Sequence, residues 1–430
     1  MIYKSPFVFV KHLDEKKEFV FSSQSQKVYA FKFNLEDVIH VADKYPLARQ
    51  KLGKLGLISR TNNYDEAVSE FEEKKIEKNS TILRLVYNVT TKCGLDCKYC
   101  FQNHLERRDT TTETIKKTGE LLDGMLSANK NFKLVNLYLF GGDPILRPDL
   151  CMELLSVFRK ICKTKRVRLF PTMATNGLFK DYDAYKALNK SGLKNLQISF
   201  DGPKYIHNKT RKDSYDAIMK NIPILSEFFV LSIKYNIHKE NIHGFREFLK
   251  DIKSIRFSRP YTITLEALHK TSTYEGQSHL YNYEDEALAE AVIELADLCA
   301  RNNVPYDICA FFEPPCMATS PYSFMIEPEG KISNCITAYN IEDFSMGHVY
   351  DTRSFNFLRD DFNMSVRKAA DTICRENKCP FFPVCETGCF YQKRLNGIDF
   401  SQPLCRHKFY SKLVDGLIEL KAKEWVKTAL

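Results

Sequence analysis

Within nine residues, Cys93-Gly-Leu-Asp-Cys97-Lys-Tyr-Cys100-Phe101, the chain places three thiols at a C-x3-C-x2-C spacing. Thiols this close can reach one centre, and thiolates are soft ligands suited to iron–sulfur clusters or to zinc. A cubane [4Fe–4S] cluster has four corners, so three thiols leave one iron open to a substrate or cofactor. A zinc knuckle completed by a remote fourth ligand, or plain loop cysteines, would use the same residues. The chain holds 14 cysteines in 430 residues. Cytosolic disulfides are rare, so thiols at this density read as metal ligands or catalytic groups. Cys151, Cys162 and Cys299 stand apart in apolar, helix-like contexts and read as buried core thiols. The remaining cysteines, Cys309, Cys316, Cys335, Cys374, Cys379, Cys385, Cys389 and Cys405, crowd the last third of the chain.

The cysteine loop needs a rigid support. The apolar run Leu83–Val89 reads as a strand that ends at it. Further strands are predicted at Leu134–Phe140, Val167–Ala174, Leu196–Phe200, Phe228–Tyr235 and Thr262–Ala267. Between them lie amphipathic helices, including Thr112–Leu126 (capped by Thr110, Thr111 or Thr112), Leu150–Ile161 and Asp181–Leu188, with a last one near Asp285–Arg301. Strands alternating with crossover helices predict an α/β fold, a parallel sheet curled into a full or partial barrel. Function in such a barrel gathers where the strands' C-terminal ends meet the following loops. Besides the cysteine loop, those ends carry Gly141-Gly142-Asp143-Pro144, Thr175-Asn176-Gly177 and Asp201-Gly202-Pro203. Adjacent glycines let a backbone come close to a ligand, although Gly-Gly-Asp-Pro also suits an ordinary turn.

Residues 1–80 read as a small α+β module. Short strands are predicted at Phe7–Val10, Glu18–Phe21 and Lys27–Phe33, then a helix from Leu35 capped by Asn34 and another after Tyr45-Pro46, with breaks at Gly53 and Gly56. The charged stretch Glu66–Lys78 is expected to be a solvated helical connector. Strands followed by helices suit a winged-helix-like module that adds a peptide strand to its edge, and suit equally a packing extension of the main domain. Residues 81–304 would form the barrel. Residues 305–430 would form a cysteine-rich domain of short strands and turns, closed by a helix near Lys408–Lys423.

Together, the cysteine loop after a first strand and Gly-Gly-Asp-Pro after a second resemble the radical S-adenosylmethionine (SAM) enzymes. The resemblance spans about residues 82–270 and implies a partial (β/α)6 TIM-like barrel. It implies that Cys93, Cys97 and Cys100 hold a [4Fe–4S] cluster whose open iron binds the amino and carboxylate groups of SAM. It also implies that Tyr99 approaches the adenine and that Gly141, Gly142 and Asp143 meet the SAM amino group. Asp143 stands where Glu is commoner in the family. Ser199-Phe-Asp201-Gly with Arg211 downstream is similar to a further family segment, so Ser199 and Arg211 would touch ribose and carboxylate. Asn176 would line the same site. Turn or cap duty is the plain alternative for Asn176, Ser199 and Arg211.

The C-terminal cysteines look like a SPASM domain, which extends peptide- and protein-modifying radical SAM enzymes. The units Cys316-x13-Gly330-x4-Cys335 and Cys379-x5-Cys385-x3-Cys389, with Cys405, carry that resemblance over about residues 305–410. The family's Cys-x2-Cys opening is altered here. Glu376 occupies the expected place, and Cys374, two residues earlier, is assigned as the ligand. With Cys309 this gives thiols for two fully ligated [4Fe–4S] clusters, hence three clusters in all. By the family's crossed pattern, Cys309, Cys316, Cys335 and Cys389 hold one; Cys374, Cys379, Cys385 and Cys405 hold the other. Full ligation favours electron relay or a structural role. A pair of tetrathiolate zinc sites is the alternative.

The net charge of +9 is moderate for this length, and no basic–aromatic interleaving marks a nucleic-acid surface. No apolar run reaches the ~18 residues that span a bilayer, and the first residues do not read as a signal peptide. A cytoplasmic protein without membrane or nucleic-acid partners is expected. Ten histidines show no paired metal spacing. Glu313, Glu327, Asp343, Tyr322 and Tyr339 could face a substrate, and no general base stands out. The resemblance implies an oxidoreductase that cleaves SAM reductively, with electrons from a donor such as flavodoxin or ferredoxin. The 5′-deoxyadenosyl radical would take hydrogen from a ribosomally made precursor peptide whose leader binds residues 1–80. The product would be a thioether or carbon–carbon crosslink, or an epimerised residue. An anaerobic sulfatase-maturating enzyme, which makes formylglycine, is the runner-up. In that subfamily Asp follows the second cluster cysteine, where this chain has Ile336 after Cys335, and few residues precede the first strand. A radical RNA-modifying enzyme and a non-catalytic zinc scaffold are the other classes.

Overall fold

The computed structural model describes residues 2–14, 17–271, 285–312, 316–351 and 370–429. Glu313 and the side chain of Cys309 lie outside the described residues.

The N-terminal module is built from β1 (Tyr3–Lys4), β2 (Val8–Asp14), β3 (Lys17–Ser22), β4 (Lys27–Phe31), α1 (Leu35–Ala42), α2 (Pro46–Lys54), β5 (Ile58–Ser59) and α3 (Tyr64–Asn79). Strands β2, β3 and β4 form an antiparallel meander, and β1 pairs with β5. Asn34 caps α1 as expected, its Oδ1 accepting the Glu36 N–H at 2.8 Å.

The central layer strings together β6 (Ile82–Thr90), α4 (Thr112–Ala128), β7 (Leu134–Gly141), α5 (Pro148–Lys165), β8 (Arg168–Thr175), α6 (Tyr182–Lys190) and β9 (Asn195–Phe200). It continues through α7 (Lys204–Thr210), α8 (Tyr215–Phe228), β10 (Val230–Ile237), α9 (Phe245–Ser254), β11 (Tyr261–Ala267) and α10 (Asp285–Arg301). Strands β6 to β11 are parallel neighbours in chain order. This is the partial (β/α)6 barrel. One strand face is helix-covered: Leu83, Leu85, Val135, Leu137, Leu139, Ile198 and Ile233 are all buried there. The intervening residues, such as Tyr138, Gln197, Ser199, Lys234 and Glu266, line the concave face. The period-two pattern visible in the sequence is this division. Phe228 ends α8 rather than opening β10, which begins at Val230.

The last part holds β12 (Tyr306–Asp307), β13 (Ser323–Ile326), β14 (Lys331–Ser333), β15 (Ser345–His348), α11 (Phe382–Cys385), α12 (Phe390–Leu395) and α13 (His407–Ala429). It continues the barrel sheet. β13 lies parallel beside β6, with Ile326 opposite Tyr87, and β14 and β15 extend it antiparallel to make ten strands.

The N-terminal module is packed, not tethered. Phe19 and Phe21 belong to the main core, the Phe9 ring stacks on Phe381 at 4.7 Å, and α13 runs against β3 and β4. The expected solvated connector is α3, and it too is a docking element. Tyr64, Ala67, Val68 and Phe71 sit at i, i+3, i+4 and i+7, a stripe set among charges, and they cluster with Phe7 and Phe382. Tyr64 donates to the Cys379 carbonyl at 2.6 Å, Glu72 pairs with Arg375 at 2.6 Å, and Lys75 pairs with Glu386. No described helix is long and apolar enough to cross a membrane.

Candidate active site

The cysteine loop leaves β6 at Thr90 and is pinned on both flanks. On one side Thr91 N–H donates to the Arg108 carbonyl at 2.9 Å. On the other, Gly142 N–H donates to the Thr90 carbonyl at 2.7 Å and Asp143 N–H to the Lys92 carbonyl at 2.9 Å. A side chain at either glycine has no room. A Cβ on Gly141 would stand 2.1 Å from the Thr90 carbonyl oxygen, and one on Gly142 would stand 2.2 Å from that of Lys92. Gly141 also holds φ at +132°, which an L side chain rarely adopts. The two glycines therefore draw the tip of β7 onto the entry of the cysteine loop.

Within the loop, the Cys100 N–H donates to the Cys97 carbonyl at 3.0 Å, and the Asn103 amide holds that same carbonyl at 2.9 Å. Asn176 aims its Nδ2 at Cys93 Sγ, 3.6 Å away, while its Oδ1 accepts the Leu178 N–H. Burial pushes all three thiols up, Cys97 to about 12, while the Arg211 cation pulls each of them down. Buried thiols become thiolates when a cation compensates them, as ligation to iron or zinc does.

Beneath the loop lies a buried polar network. The Tyr99 hydroxyl donates to both oxygens of Asp201 at 2.7 Å and accepts from Arg211 Nη1 at 2.9 Å and Asn236 Nδ2 at 3.1 Å. Asn236 and Thr210 each donate to Asp201 at 2.8 Å. Burial drives the Asp201 carboxyl upward, but the Arg211 charge and these donors outweigh it and hold it below the ordinary range. His207, buried and facing Arg211, is pushed down to about 3 and is neutral. The sequence singled out Tyr99 and Arg211 as SAM contacts; the structure joins them to each other and to Asp201, with Asn236 and Thr210, which the sequence did not single out. A polar residue at the C-terminal end of β10 was the available signal for Asn236. Ser199 lies on the concave face beside Lys234 of β10.

Asp143 tests whether SAM would fit. Its carboxyl is buried, and burial pushes it up to about 7 despite favourable contacts with Thr175 and the Asn176 and Ile145 backbone. Its Oδ1 has no hydrogen-bond partner. An orphaned acceptor beside three clustered thiols suits a bound ammonium, and the residues present fit the group.

The C-terminal thiols fall into two sets. Cys316, Cys335 and Cys389 act on one another electrostatically, and so do Cys374, Cys379, Cys385 and Cys405. Cys374 reaches its set because the helix over residues 370–376 ends in a left-handed Lys378, φ +47°, and the Cys379 N–H returns to the Cys374 carbonyl at 3.1 Å. Glu376 points to solvent. Among the described residues no three His, Cys, Asp or Glu side chains close around a single-ion site. A cubane asks each thiolate to bind a different iron, so its ligands stand further apart than those of one zinc.

Residues 87–252 match the Radical SAM superfamily. Those residues are a Radical SAM domain. Among the chain's relatives is a cysteine-type anaerobic sulfatase-maturating enzyme of Clostridium perfringens strain 13, 23% identical over 71% of this chain and 88% of that protein. A PqqA peptide cyclase of Gluconobacter oxydans is 31% identical over 27% of this chain and 30% of the relative. In structure, anSMEcpe with bound AdoMet and the Kp18Cys peptide superposes with a TM-score of 0.61 at 17% identity, covering 81% of this chain and 99% of that one. Streptococcus suis SuiB bound to S-adenosylmethionine superposes with a TM-score of 0.58 at 16% identity, covering 94% and 99%.

The concave face of the Radical SAM domain carries polar groups the sequence did not single out. Lys234 and Glu266 pair at 2.8 Å across β10 and β11, and Tyr138 donates to Gln197 at 2.6 Å. Of the suggested substrate-facing residues, Glu327 is fully buried at the β13–β14 turn with one oxygen unpartnered. Tyr339 donates to Glu329 at 2.9 Å, Asp343 pairs with Arg394 at 2.6 Å, and the Tyr322 ring packs on Phe132.

Proposed function

We propose that this chain modifies a ribosomally made precursor peptide by radical chemistry, forming a thioether or carbon–carbon crosslink or an epimerised residue. The observation that carries the reading is the junction of the cysteine loop with Gly141–Asp143, which places an orphaned buried carboxyl oxygen beside three thiols. In this reading Cys93, Cys97 and Cys100 hold a [4Fe–4S] cluster, and Asp143 receives the amino group of SAM. Bound SAM supplies, on one-electron reduction, a 5′-deoxyadenosyl radical able to remove hydrogen from a substrate carbon. The chain's own residues orient and enclose. Gly141 and Gly142 expose backbone at the mouth, and Arg211 with Asp201 fixes Tyr99 below the cysteine loop. Ser199, Asn176 and Lys234–Glu266 present polar groups from the concave face. The two C-terminal thiol sets, with Cys309 completing the first, would hold auxiliary [4Fe–4S] clusters, giving three. A flavodoxin- or ferredoxin-type donor in the cytoplasm would supply electrons.

Peptide processing is supported by SuiB, a structure of which is bound to precursor peptide SuiA, covering 94% of this chain. Residues 1–80 are the part to which a leader would bind. A groove of about 1210 Å³ runs from that module to the feet of β6 and β7, and Lys27, Lys44 and Lys54 line it. An acidic leader segment suits it. Residues 81–304 and 305–430 would then be the catalytic and auxiliary-cluster domains.

Sulfatase maturation is the second reading, favoured by the 88% coverage of the clostridial relative. Ile336 after Cys335 counts against it.

Anaerobic reconstitution followed by iron and sulfide analysis tests the cluster content, with about twelve of each expected for three cubanes. Zinc without sulfide would overturn it. Reduction with dithionite in the presence of SAM should then release 5′-deoxyadenosine. Mass spectrometry of a candidate precursor against a sulfatase-derived peptide ranks the two substrates.

A further inference from the structure

The loop Cys385-Glu-Thr-Gly-Cys389 joins the two C-terminal thiol sets, and it is strained. Glu386, Thr387 and Gly388 hold φ at +46°, +66° and +86°, and a β-branched residue in that region is a true outlier. Contacts from several directions hold it. Lys75 and Thr319 bind the Glu386 carboxylate, and the Leu404 N–H donates to the Thr387 carbonyl at 2.9 Å.

Lys393 stands one helical turn beyond Cys389, its N–H donating to the Cys389 carbonyl at 3.0 Å. Its side chain turns inward and is fully buried. The ammonium donates to Thr387 Oγ1 at 3.2 Å and to the Phe400 carbonyl at 3.4 Å, and it lies 4.3 Å from the centre of the Phe390 ring. All three partners are neutral. Among the described residues no carboxylate pairs with it; burial, the largest influence, holds it below the usual lysine range, and Asp371 acts electrostatically in the opposite sense. Cys385 and Cys374 of one thiol set and Cys389 of the other act on it as well. A buried ammonium without a counter-ion is costly, and a lysine with only neutral partners would normally reach for solvent. Anionic clusters on both sides would supply the missing charge.

We propose that Lys393 is the shared counter-charge of the two auxiliary clusters, a positioning residue that raises their reduction potentials and makes them competent to accept an electron. The inference rests on the assignment of those thiols to clusters. A cation beside a cluster stabilises its reduced, more negative form, and inside a protein one unit charge is worth a tenfold change in an equilibrium constant or more.

The test is redox titration monitored by electron paramagnetic resonance, in a background with Cys93, Cys97 and Cys100 replaced by Ala so that only auxiliary clusters signal. The assignment requires about eight iron in that background, and its absence condemns the cluster reading itself. With iron present, K393Q keeps a donor for Thr387 but removes the charge. Its auxiliary clusters should be reduced about tenfold less at a fixed potential, a fall of about 59 mV for a one-electron couple. K393M should do the same, and K393R should hold the parent value. Loss of iron from K393Q and K393M with retention in K393R also supports the charge requirement. Unchanged potentials in K393Q at full iron content overturn the proposal, and so does loss of iron from K393R, which would make shape rather than charge the requirement.

Discussion

Gly142 lies so close to Lys92 that a methyl group on its α-carbon would stand 2.2 Å from the Lys92 carbonyl oxygen. The obstacle is backbone at the entry of the cysteine loop, so no rotamer change relieves it. Gly142→Ala is expected to push the loop away from β7 and to cut 5′-deoxyadenosine formation by roughly 10²-fold, the scale of an ångström-sized misplacement. Gly141→Ala, which adds the penalty of φ +132°, should be at least as severe. Gly53→Ala is the control. Nothing lies within 4 Å of its added Cβ in α2, so it should leave cleavage alone and stabilise the fold by up to about 1 kcal/mol. Product chromatography and thermal melts read both effects.

Tyr99 is held by Asp201, Arg211 and Asn236 together, and the buried charges depend on it. Removing its hydroxyl in Tyr99→Phe leaves donors of Arg211 and Asn236 without their acceptor, at an expected cost of about 1–3 kcal/mol. Asp201→Asn is worse, because it strands the Arg211 cation in the interior, and about 3–5 kcal/mol is expected. Chemical denaturation measures both. If Asp201→Asn is no worse than Tyr99→Phe, Arg211 finds its compensation elsewhere.

The sequence made the barrel and its mouth readable, because both are local signals. Strands β6 to β11 alternate buried and concave-face residues, and Gly-Gly-Asp-Pro sits directly at a strand end. What stayed hidden was long-range. The four residues Ser323–Ile326 carry no alternation that announces a parallel pairing with β6, over 230 residues earlier. The stripe Tyr64–Ala67–Val68–Phe71 is outweighed by charged neighbours, so α3 read as solvated. Asp201 stood out only as part of a strand-end segment, and nothing in the sequence announced that Tyr99, Thr210 and Asn236 converge on it from three separate segments. Cys374 is assigned as a ligand from its place two residues before the position where the family spacing expects a cysteine. The left-handed Lys378 that brings it to Cys379 has no sequence signature comparable to a glycine.

Glu327, directly after β13 and beside the C-terminal end of β6, offers a titration of its own. Burial and the nearby Glu329 push its carboxyl up to about 7 from an ordinary 4.5. A raised carboxyl means the folded state keeps its proton where the unfolded state has lost it. The stabilisation is therefore fully present below about pH 4.5 and is lost as pH rises through about 7. At 1.36 kcal/mol per unit the loss is on the order of 3 kcal/mol. Glu327→Gln should flatten this segment of the stability–pH curve and raise the melting temperature at pH 8. An unchanged slope in the variant would assign the pH dependence to other groups.

Cys374 decides the second auxiliary site. Its thiol acts on those of Cys379 and Cys405, whereas Glu376, at the place where the family spacing puts a cysteine, faces solvent. Cys374→Ala should therefore remove one cluster, about four iron and four sulfide of twelve, because a cubane missing a corner ligand is readily lost. The cysteine-loop cluster should remain, and so should some reductive SAM cleavage without substrate. Glu376→Ala should retain full iron. The Cys379 backbone would still receive the Tyr64 hydroxyl in Cys374→Ala, so α3 stays docked and a loss of iron cannot be blamed on the N-terminal module coming away. Circular dichroism alongside the iron assay checks that point. Full iron in Cys374→Ala would mean that another group closes the site, and Cys374 would revert to a helix-end thiol packed against Tyr64 and Phe382.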